Sequence, residues 1–174
     1  MSVYFCSDFH LSHKNIAKFR PFVKDVEDNT RLLIDSWNLH IKKNDVVYCL
    51  GDMAFDKNGL DALGNLKGRK ILIRGNHCDL VSIGDLINVF EEVHGIIKYK
   101  GMWLSHCPIH PDELRGRPNI SGHIHSKSIM KKNWLGRKVL DKRYFNACVD
   151  VVYPKYGTCF VSLDQIRNYF NSSK

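Results

Sequence analysis

The sequence predicts an α/β protein, with a parallel α/β core followed by hairpin-like strands. Strand-like and helical patterns alternate early in the chain, and strand-like patterns cluster late. No linker rich in Pro, Gly or Ser, no repeat and no low-complexity tract divides the 174 residues. Because a chain of this length buries well over half of its unfolded surface, we expect one domain over residues 1–174.

Runs rich in β-branched and aromatic residues predict the strands, and apolar residues spaced three or four apart predict the helices. Helices are predicted over 29–42 and 80–90. Ser162 and Gln165 form a capping-box pattern, which predicts that a last helix begins there. Strands are predicted at 3–7, 45–50, 70–74, 94–99, 102–105, 146–152 and 158–163.

The composition is that of a soluble globular chain, with 44% apolar and 25% charged residues. The apolar runs are far shorter than the roughly 20 residues of a membrane-spanning helix, and the first residues lack the basic start of a secretory signal. We therefore expect a cytoplasmic protein with no membrane partner. The six cysteines contain no C-x-x-C pair, which predicts reduced, mostly buried thiols rather than disulfides or a zinc ribbon.

Much of the positive charge is concentrated in one segment. The chain carries a net charge of +8, and residues 126–145 hold seven basic residues and one acidic residue. Such a segment predicts an exposed hairpin or loop that either binds an anionic partner, such as a nucleotide or nucleic acid, or only aids solubility. Trp134 lies among these basic residues, where it either stacks on the bases of a single strand or anchors the hairpin.

Side chains of metal-ligand type follow five strand-like segments. Because ligands of open α/β sheets bind outside the carboxyl ends of the strands, we expect these side chains to converge on one place. Each of them alone is more typical of a hydrogen-bonded structural residue. Together they favour a metal cluster, because buried carboxylates and imidazoles without partners would be costly in an apolar core. These residues are Asp8, His10, Asp52, Asn76, His106, His123 and His125.

In their order along the chain, these motifs resemble those of the calcineurin-like metallophosphoesterases. The family pattern is Asp-x-His, Gly-Asp, Gly-Asn-His-Asp/Glu, a histidine after a strand and Gly-His-x-His, and it spans residues 8–125 here. Residues 7–16 and 146–150 are also similar to a compact bacterial and phage branch of that family. The resemblance implies a four-layer αββα sandwich, in which two mixed β-sheets are flanked by helices and a two-metal site lies on one rim.

The resemblance also implies a role for each residue of the metal site. Carboxylate, imidazole and amide ligands suit borderline divalent ions, so we expect two Mn²⁺ ions, with Fe, Zn²⁺ or Ni²⁺ as alternatives. A hydroxide bound to both ions would attack phosphorus without a covalent enzyme intermediate. One metal would be bound by Asp8, His10 and His125, the other by Asn76, His106 and His123, and both by a bridging Asp52.

His77 occupies the position at which the family has a histidine that donates a proton or hydrogen bond to the leaving oxygen. The alternative is a surface histidine in a tight glycine turn. The family usually has Asp or Glu after this histidine, whereas this chain has Cys78, so the acidic partner is either missing or replaced by Asp79. His13 and Arg20 are expected on the substrate side of the site, with solvated helix residues as the alternative.

The sequence thus predicts a metal-dependent phosphoesterase that hydrolyses phosphodiester or phosphomonoester bonds of nucleotides or nucleic-acid ends. The expected partner is therefore a phosphate-ester substrate. The alternative is a nucleic-acid-binding module, or a nuclease, that uses the basic residues 126–145.

Overall fold

The structure is a computed structural model that describes residues 1–172. Its first sheet contains β1 (Val3–Cys6), β2 (Val46–Cys49), β3 (Arg69–Ile73), β4 (Glu92–His94) and β11 (Val161–Ser162). The order across this sheet is β11-β1-β2-β3-β4. Strands β1 to β4 run parallel, and β11 runs antiparallel along β1. The predicted parallel core is therefore confirmed.

A second sheet has the order β10-β7-β6-β5 and contains β5 (Ile96–Tyr99), β6 (Met102–Ser105), β7 (Asn119–Ser121) and β10 (Tyr144–Asn146). β5 and β6 form an antiparallel hairpin, as predicted for the late strands. The same expectation is wrong for β6, β7 and β10, which run parallel. Long connections join these three strands, and such connections allow parallel neighbours, whereas a tight turn does not.

The helices are α1 (Val26–His40), α2 (Lys57–Gly64), α3 (Ile83–Val89), α4 (Val149–Tyr156) and α5 (Leu163–Asn171). The side chains of Asp25, Asp56, Ser82 and Ser162 accept hydrogen bonds from backbone N–H groups of the first turns of α1, α2, α3 and α5. Ser162 and Gln165 form the predicted capping box. Helix α2 was not predicted, because its eight residues include two glycines that weaken the helical pattern.

The strand predicted over 146–152 is wrong beyond Asn146. β10 ends at that residue, and α4 begins at Val149. The three valines of this segment favour a strand by local propensity. Val149 and Val152 are fully buried on the inner side of α4, so packing against the core outweighs that propensity.

Two apolar layers hold the protein together. One lies between the first sheet and the first three helices, where Trp37 and Leu63 pack with Leu72 of β3. The other lies between the two sheets, where Phe5 of β1 packs in the same cluster as Leu104 of β6. The protein is therefore a mixed α/β sandwich of two face-to-face sheets, with α1, α2 and α3 packed on the first sheet.

The outer face of the second sheet is covered by the segment 107–118. The indole N–H of Trp103 donates to the carbonyl of Leu114 at 3.1 Å, and the hydroxyl of Tyr144 donates to the carbonyl of Ile109 at 2.7 Å. The segment contains three prolines and only a 3-10 turn, because proline interrupts longer helices.

Residues 126–145 contain the exposed hairpin that the charge pattern predicted. β8 (Met130–Lys132) pairs antiparallel with β9 (Lys138–Leu140) in a separate two-stranded sheet. All six cysteines are free thiols, and five are buried, as predicted; Cys107 is the exposed one. Among residues 1–172, no helix has both the length and the apolar character needed to cross a membrane.

Candidate metal centre

Parallel strands bring the predicted metal ligands to one edge of the sandwich. Asp8, Asp52 and Asn76 follow β1, β2 and β3, whose carboxyl ends lie side by side in the first sheet. His106 and the segment 123–125 follow β6 and β7, which are parallel neighbours in the second sheet. The order of the strands therefore explains why residues far apart in the sequence meet here.

Five of the predicted ligands have a left-handed backbone conformation. Residues other than glycine seldom adopt positive φ angles, and such strain is concentrated at functional sites. Within residues 1–172, eight residues other than glycine have a positive φ. The five ligands among them are Asp8, His10, Asp52, His123 and His125, with φ between 49° and 70°.

Two glycines of the motifs leave room for the carboxylates. A Cβ atom on Gly75 would collide with the carboxylate of Asp52, and a Cβ atom on Gly122 would collide with the side chains of Ser7 and Asp8. The close approach of each carboxylate to the backbone therefore requires glycine at these two positions.

Asp8, His10 and His125 form a first group of possible metal ligands. Their ligand atoms lie within 4.8 Å of one another. Nε2 of His10 lies 3.4 Å from Oδ1 of Asp8, and the ring centroids of His10 and His125 are 5.1 Å apart. Atoms that share one ion at about 2.0–2.2 Å lie at most about 4.4 Å apart, so small side-chain movements would let this group bind one ion.

Asp8, Asp52 and His106 form a second group within the same limit of 4.8 Å. Nε2 of His106 lies 3.2 Å from Oδ2 of Asp52 and 3.0 Å from Oδ1 of Asn76. The ring centroid of His123 lies 5.0 Å from that of His106. The structure thus brings all seven predicted ligands together. Asp8 is common to both groups, whereas the resemblance implied that Asp52 alone is shared.

The cluster concentrates negative charge in a buried place, because Asp8 is fully buried and Asp52 is 2% exposed. Burial raises the pKa of each carboxyl, but hydrogen bonds outweigh it and lower both values: His10 and Cys148 act on Asp8, and His106 acts on Asp52. Burial lowers the pKa of His106, but the two carboxylates outweigh it and raise the value. The two carboxylates therefore favour a positive charge beside them, a role that a divalent cation would fit.

Neighbouring groups orient two of the imidazoles. Nδ1 of His125 lies 2.9 Å from Oδ2 of Asp150, and this hydrogen bond raises the pKa of His125. Nδ1 of His106 lies 2.7 Å from the carbonyl oxygen of Leu50. In both rings Nε2 is thus the nitrogen left for a metal, as is usual when the other ring nitrogen has a hydrogen-bond partner.

Arg20 lies beneath the cluster instead of on the substrate side. It is fully buried, and its five N–H donors are all used. They donate to both oxygens of Asp150, to Oδ1 of Asn29 and to the carbonyls of Asp8 and Phe9. The expected substrate contact is therefore corrected: the guanidinium fixes Asp150, which in turn orients His125.

A cavity of about 440 Å³ opens beside the cluster. His13, which the sequence suggested as a substrate contact, lines this cavity, and within residues 1–172 its buried Nδ1 has no hydrogen-bond partner. Phe55 packs against His13 with ring centroids 4.6 Å apart, and Phe19 is 68% exposed at the mouth. Aromatic walls beside a charged centre suit a ligand with a planar ring and an anionic group.

His77 also lines this cavity, with its ring centroid 4.8 Å from that of Phe55. In the described part of the chain, no carboxylate is bonded to its ring. Sγ of Cys78 accepts a hydrogen bond from the backbone N–H of Gly75 at 3.2 Å, so this thiol stabilises the turn instead. Asp79 is exposed, and it does not replace the acidic residue that usually follows the histidine.

Several residues of the site were not predicted from the sequence. Asp150 lies in a segment that the resemblance marked, and Cys148 in the same segment donates a hydrogen bond from Sγ to Oδ2 of Asp8 at 3.0 Å. Phe19 and Phe55 carried no signal, because a cavity wall and a core residue look alike in sequence. Cys107 lies close to His106 and His123 and is exposed; its position directly after a ligand was the only available signal.

No family model matches the chain. The Aquifex aeolicus protein of unknown function AQ665 is 25% identical, with a TM-score of 0.70 over 96% of this chain and 98% of that one. The Pseudomonas putida nuclease MPE is 16% identical, with a TM-score of 0.50 over 79% of this chain and 67% of that one, which shows a shared fold. The uncharacterized protein MJ1445 of Methanocaldococcus jannaschii is 32% identical over 181 residues, which cover 99% of this chain and 93% of that protein. The chain therefore belongs to the same family as MJ1445.

Proposed function

We propose that this protein is a metal-dependent phosphoesterase of the calcineurin-like type, which hydrolyses phosphodiester or phosphomonoester bonds of nucleotides or nucleic-acid ends. One observation carries the proposal: two buried carboxylates and four histidines meet at one edge of the sandwich, with their ligand atoms in groups within 4.8 Å. A structural role alone would not require five strained backbone positions at that edge.

The cluster fits a pair of divalent cations. Its donors are carboxylate oxygens, imidazole nitrogens and one amide oxygen, which suit Mn²⁺ and related ions. Bound cations would acidify a water molecule and neutralise charge that develops on the phosphoryl oxygens. One site would use Asp8, His10 and His125, the other would use Asn76, His106 and His123, and Asp52 would contribute to both.

The protein's own side chains would then orient the substrate. Phe19 and Phe55 would bind a nucleobase or another planar group in the cavity, while the phosphate faces the cluster. His13 offers a buried Nδ1 that a substrate group can satisfy. His77 reaches the same cavity and would give a hydrogen bond or a proton to the leaving oxygen, without help from a carboxylate.

The fold shared with a Pseudomonas putida nuclease agrees with a phosphate-ester substrate. The rival function is a nucleic-acid-binding module that uses the basic residues 126–145 and no catalysis. The two differ in their dependence on the cluster, because binding through surface lysines would survive Asp52→Asn, whereas hydrolysis would not.

The test measures hydrolysis of bis(4-nitrophenyl) phosphate and 4-nitrophenyl phosphate after removal of metals with EDTA. We expect Mn²⁺ to restore turnover. Asp52→Asn should lower kcat/KM by more than about 100-fold, beyond the loss typical of an outer-sphere partner. Asp164→Asn is the matched control, since this carboxylate is 86% exposed on α5, and its turnover should equal that of the wild type.

The same assay, run with cyclic nucleotides and with single-stranded RNA and DNA, identifies the substrate class. Absence of turnover on every substrate with Mn²⁺, Fe²⁺, Zn²⁺ and Ni²⁺ would reject the proposal. Tight nucleic-acid binding that persists in Asp52→Asn, together with no turnover, would support the rival.

A further inference from the structure

The hairpin of β8 and β9 is attached to the candidate metal centre at both ends. It leaves the sandwich just after His125 and returns through β10 to the segment that contains Cys148 and Asp150. At its base, the side-chain amide of Asn146 donates to the carbonyls of His125 and Lys127, at 2.6 and 3.1 Å. A ligand at the base of the hairpin would therefore lie beside the residues of the cluster.

The tip of the hairpin presents an uncovered tryptophan. Trp134 is 90% exposed, so it does not anchor the hairpin, which was one of the two interpretations of the sequence. Oδ1 of Asn133 accepts hydrogen bonds from the backbone N–H groups of Leu135 and Arg137 at 3.0 and 2.9 Å. The N–H of Gly136 donates to the carbonyl of Asn133 at 2.9 Å. A hydrogen-bonded turn thus holds the indole in solvent, where its faces can stack on a ligand.

The charges of the hairpin favour an anionic partner. Lys132 and Lys138 are directly opposite in the antiparallel register, which is an unfavourable arrangement for like charges. Asp141 is the only acidic residue of the segment and is already paired with Arg143 and Lys131. No ion pair of residues 1–172 involves Lys132, Arg137 or Lys138, so an external anion would relieve their repulsion.

We propose that this hairpin is a platform for single-stranded nucleic acid, on which Trp134 stacks with a base while Lys132, Arg137 and Lys138 contact phosphates. The inference rests on the proposed function, because it names a polymeric substrate for the same centre. A single strand exposes the faces of its bases, whereas a duplex hides them. A polynucleotide can also lie on the tip and in the aromatic cavity at once, because Trp134 lies nine positions after His125, which lines the cavity, and nine extended residues span at most about 32 Å.

The test measures binding of labelled oligo-dT and oligo-U 20-mers to the full chain in EDTA by fluorescence anisotropy, so that hydrolysis does not interfere. We expect Trp134→Ala to weaken binding by about tenfold or more, and Trp134→Phe to retain most of it, because a ring is still present to stack. Leu135→Ala is the control, since Leu135 is the 53% exposed apolar neighbour of Trp134 and has no ring; its affinity should equal that of the wild type.

Charge is tested separately from stacking. Lys132→Gln combined with Lys138→Gln should reduce the slope of log affinity against log salt by roughly 0.7 for each phosphate that the variant no longer neutralises. Equal affinities of wild type and Trp134→Ala for both oligonucleotides would overturn the inference. So would tighter binding to duplex DNA, or to phosphatidylserine vesicles, than to either single strand.

Two experimental results distinguish failure of the nucleic-acid platform from failure of the proposed phosphoesterase activity. Turnover of bis(4-nitrophenyl) phosphate by the wild type, together with oligonucleotide binding that ignores Trp134, would reject the platform and leave the phosphoesterase standing. Binding that depends on Trp134, with no turnover of any phosphate ester, would retain the platform and reject the enzyme.

Discussion

Nδ1 of His125 lies 2.9 Å from Oδ2 of Asp150, and the buried guanidinium of Arg20 donates to both oxygens of that same carboxylate. This chain of contacts fixes the orientation of the imidazole and leaves Nε2 for a metal. A carboxylate partner also makes an imidazole more basic and a stronger ligand. Asp150 therefore orients the predicted ligand His125 without itself belonging to the groups of possible metal ligands described above.

Asp150→Asn should lower the affinity of the cluster for Mn²⁺ by about 10–100-fold, because an amide orients the imidazole less firmly and carries no charge. Isothermal titration calorimetry of the metal-free protein measures this affinity. Asp164→Asn removes an exposed carboxylate far from the cluster and should leave it unchanged. A folded Asp150→Asn variant with the Mn²⁺ affinity of the wild type would contradict the positioning role.

Arg20→Met should destabilise the protein by about 3–5 kcal/mol, because it leaves the largely buried carboxylate of Asp150 without its cation. Urea denaturation measures the free energy of unfolding. Arg31→Met is the control: its side chain is 66% exposed and pairs with Asp28, so we expect a loss below about 1 kcal/mol. A raised KM with unchanged stability in Arg20→Met would instead favour the substrate contact that the sequence suggested.

The convergence of the predicted ligands could be inferred from sequence because each of them closely follows a strand, and parallel strands end at one edge. Asp52, for example, could be proposed as a ligand from its residue type and from the strand that precedes it. The location of Arg20 could not be predicted in this way. A buried arginine and a substrate-binding arginine look alike in sequence, and only the fold shows which carboxylate lies beside the guanidinium. That carboxylate, Asp150, lies 130 residues further along the chain.

The parallel direction of β6, β7 and β10 was also not predicted from the sequence. Pairing of β6 with β7 is decided by how the segment 107–118 crosses between them, and no local pattern encodes that path. The helix at Val149–Tyr156 was missed for a related reason, because its valines satisfy a strand pattern and only their burial against the core favours the helix. The exposed hairpin was predictable, since its charge pattern is local.

His77→Ala should affect substrates according to their leaving groups. No carboxylate of the described residues supports the His77 ring, so we expect a loss below about tenfold for bis(4-nitrophenyl) phosphate, whose nitrophenolate leaves without a proton. For a dinucleotide, whose alkoxide leaving group needs one, the loss should be about 100-fold or more. Steady-state kcat on both substrates tests this, with His94→Ala as a control outside the cavity. Equally large losses on both substrates would count against the role.

Asp141 should stabilise the base of the hairpin in a pH-dependent way. Its carboxylate is 1% exposed and accepts hydrogen bonds from the guanidinium of Arg143, the shortest at 2.6 Å. These bonds outweigh burial and lower the pKa of Asp141. Because the folded pKa lies below the unfolded value, the charged form contributes fully above about pH 4, and the contribution is lost as the pH falls through the folded pKa.

Asp141→Asn should therefore cost about 1–3 kcal/mol of unfolding free energy at pH 7, and this difference from the wild type should shrink below about pH 4. Urea denaturation of both proteins from pH 7 to pH 3 measures it. Asp112→Asn provides the matched control, because its side chain is 88% exposed and should cost less than about 0.5 kcal/mol at every pH. A difference that stays constant from pH 7 to pH 3 would mean that the loss arises from packing of the amide and not from the charge of Asp141.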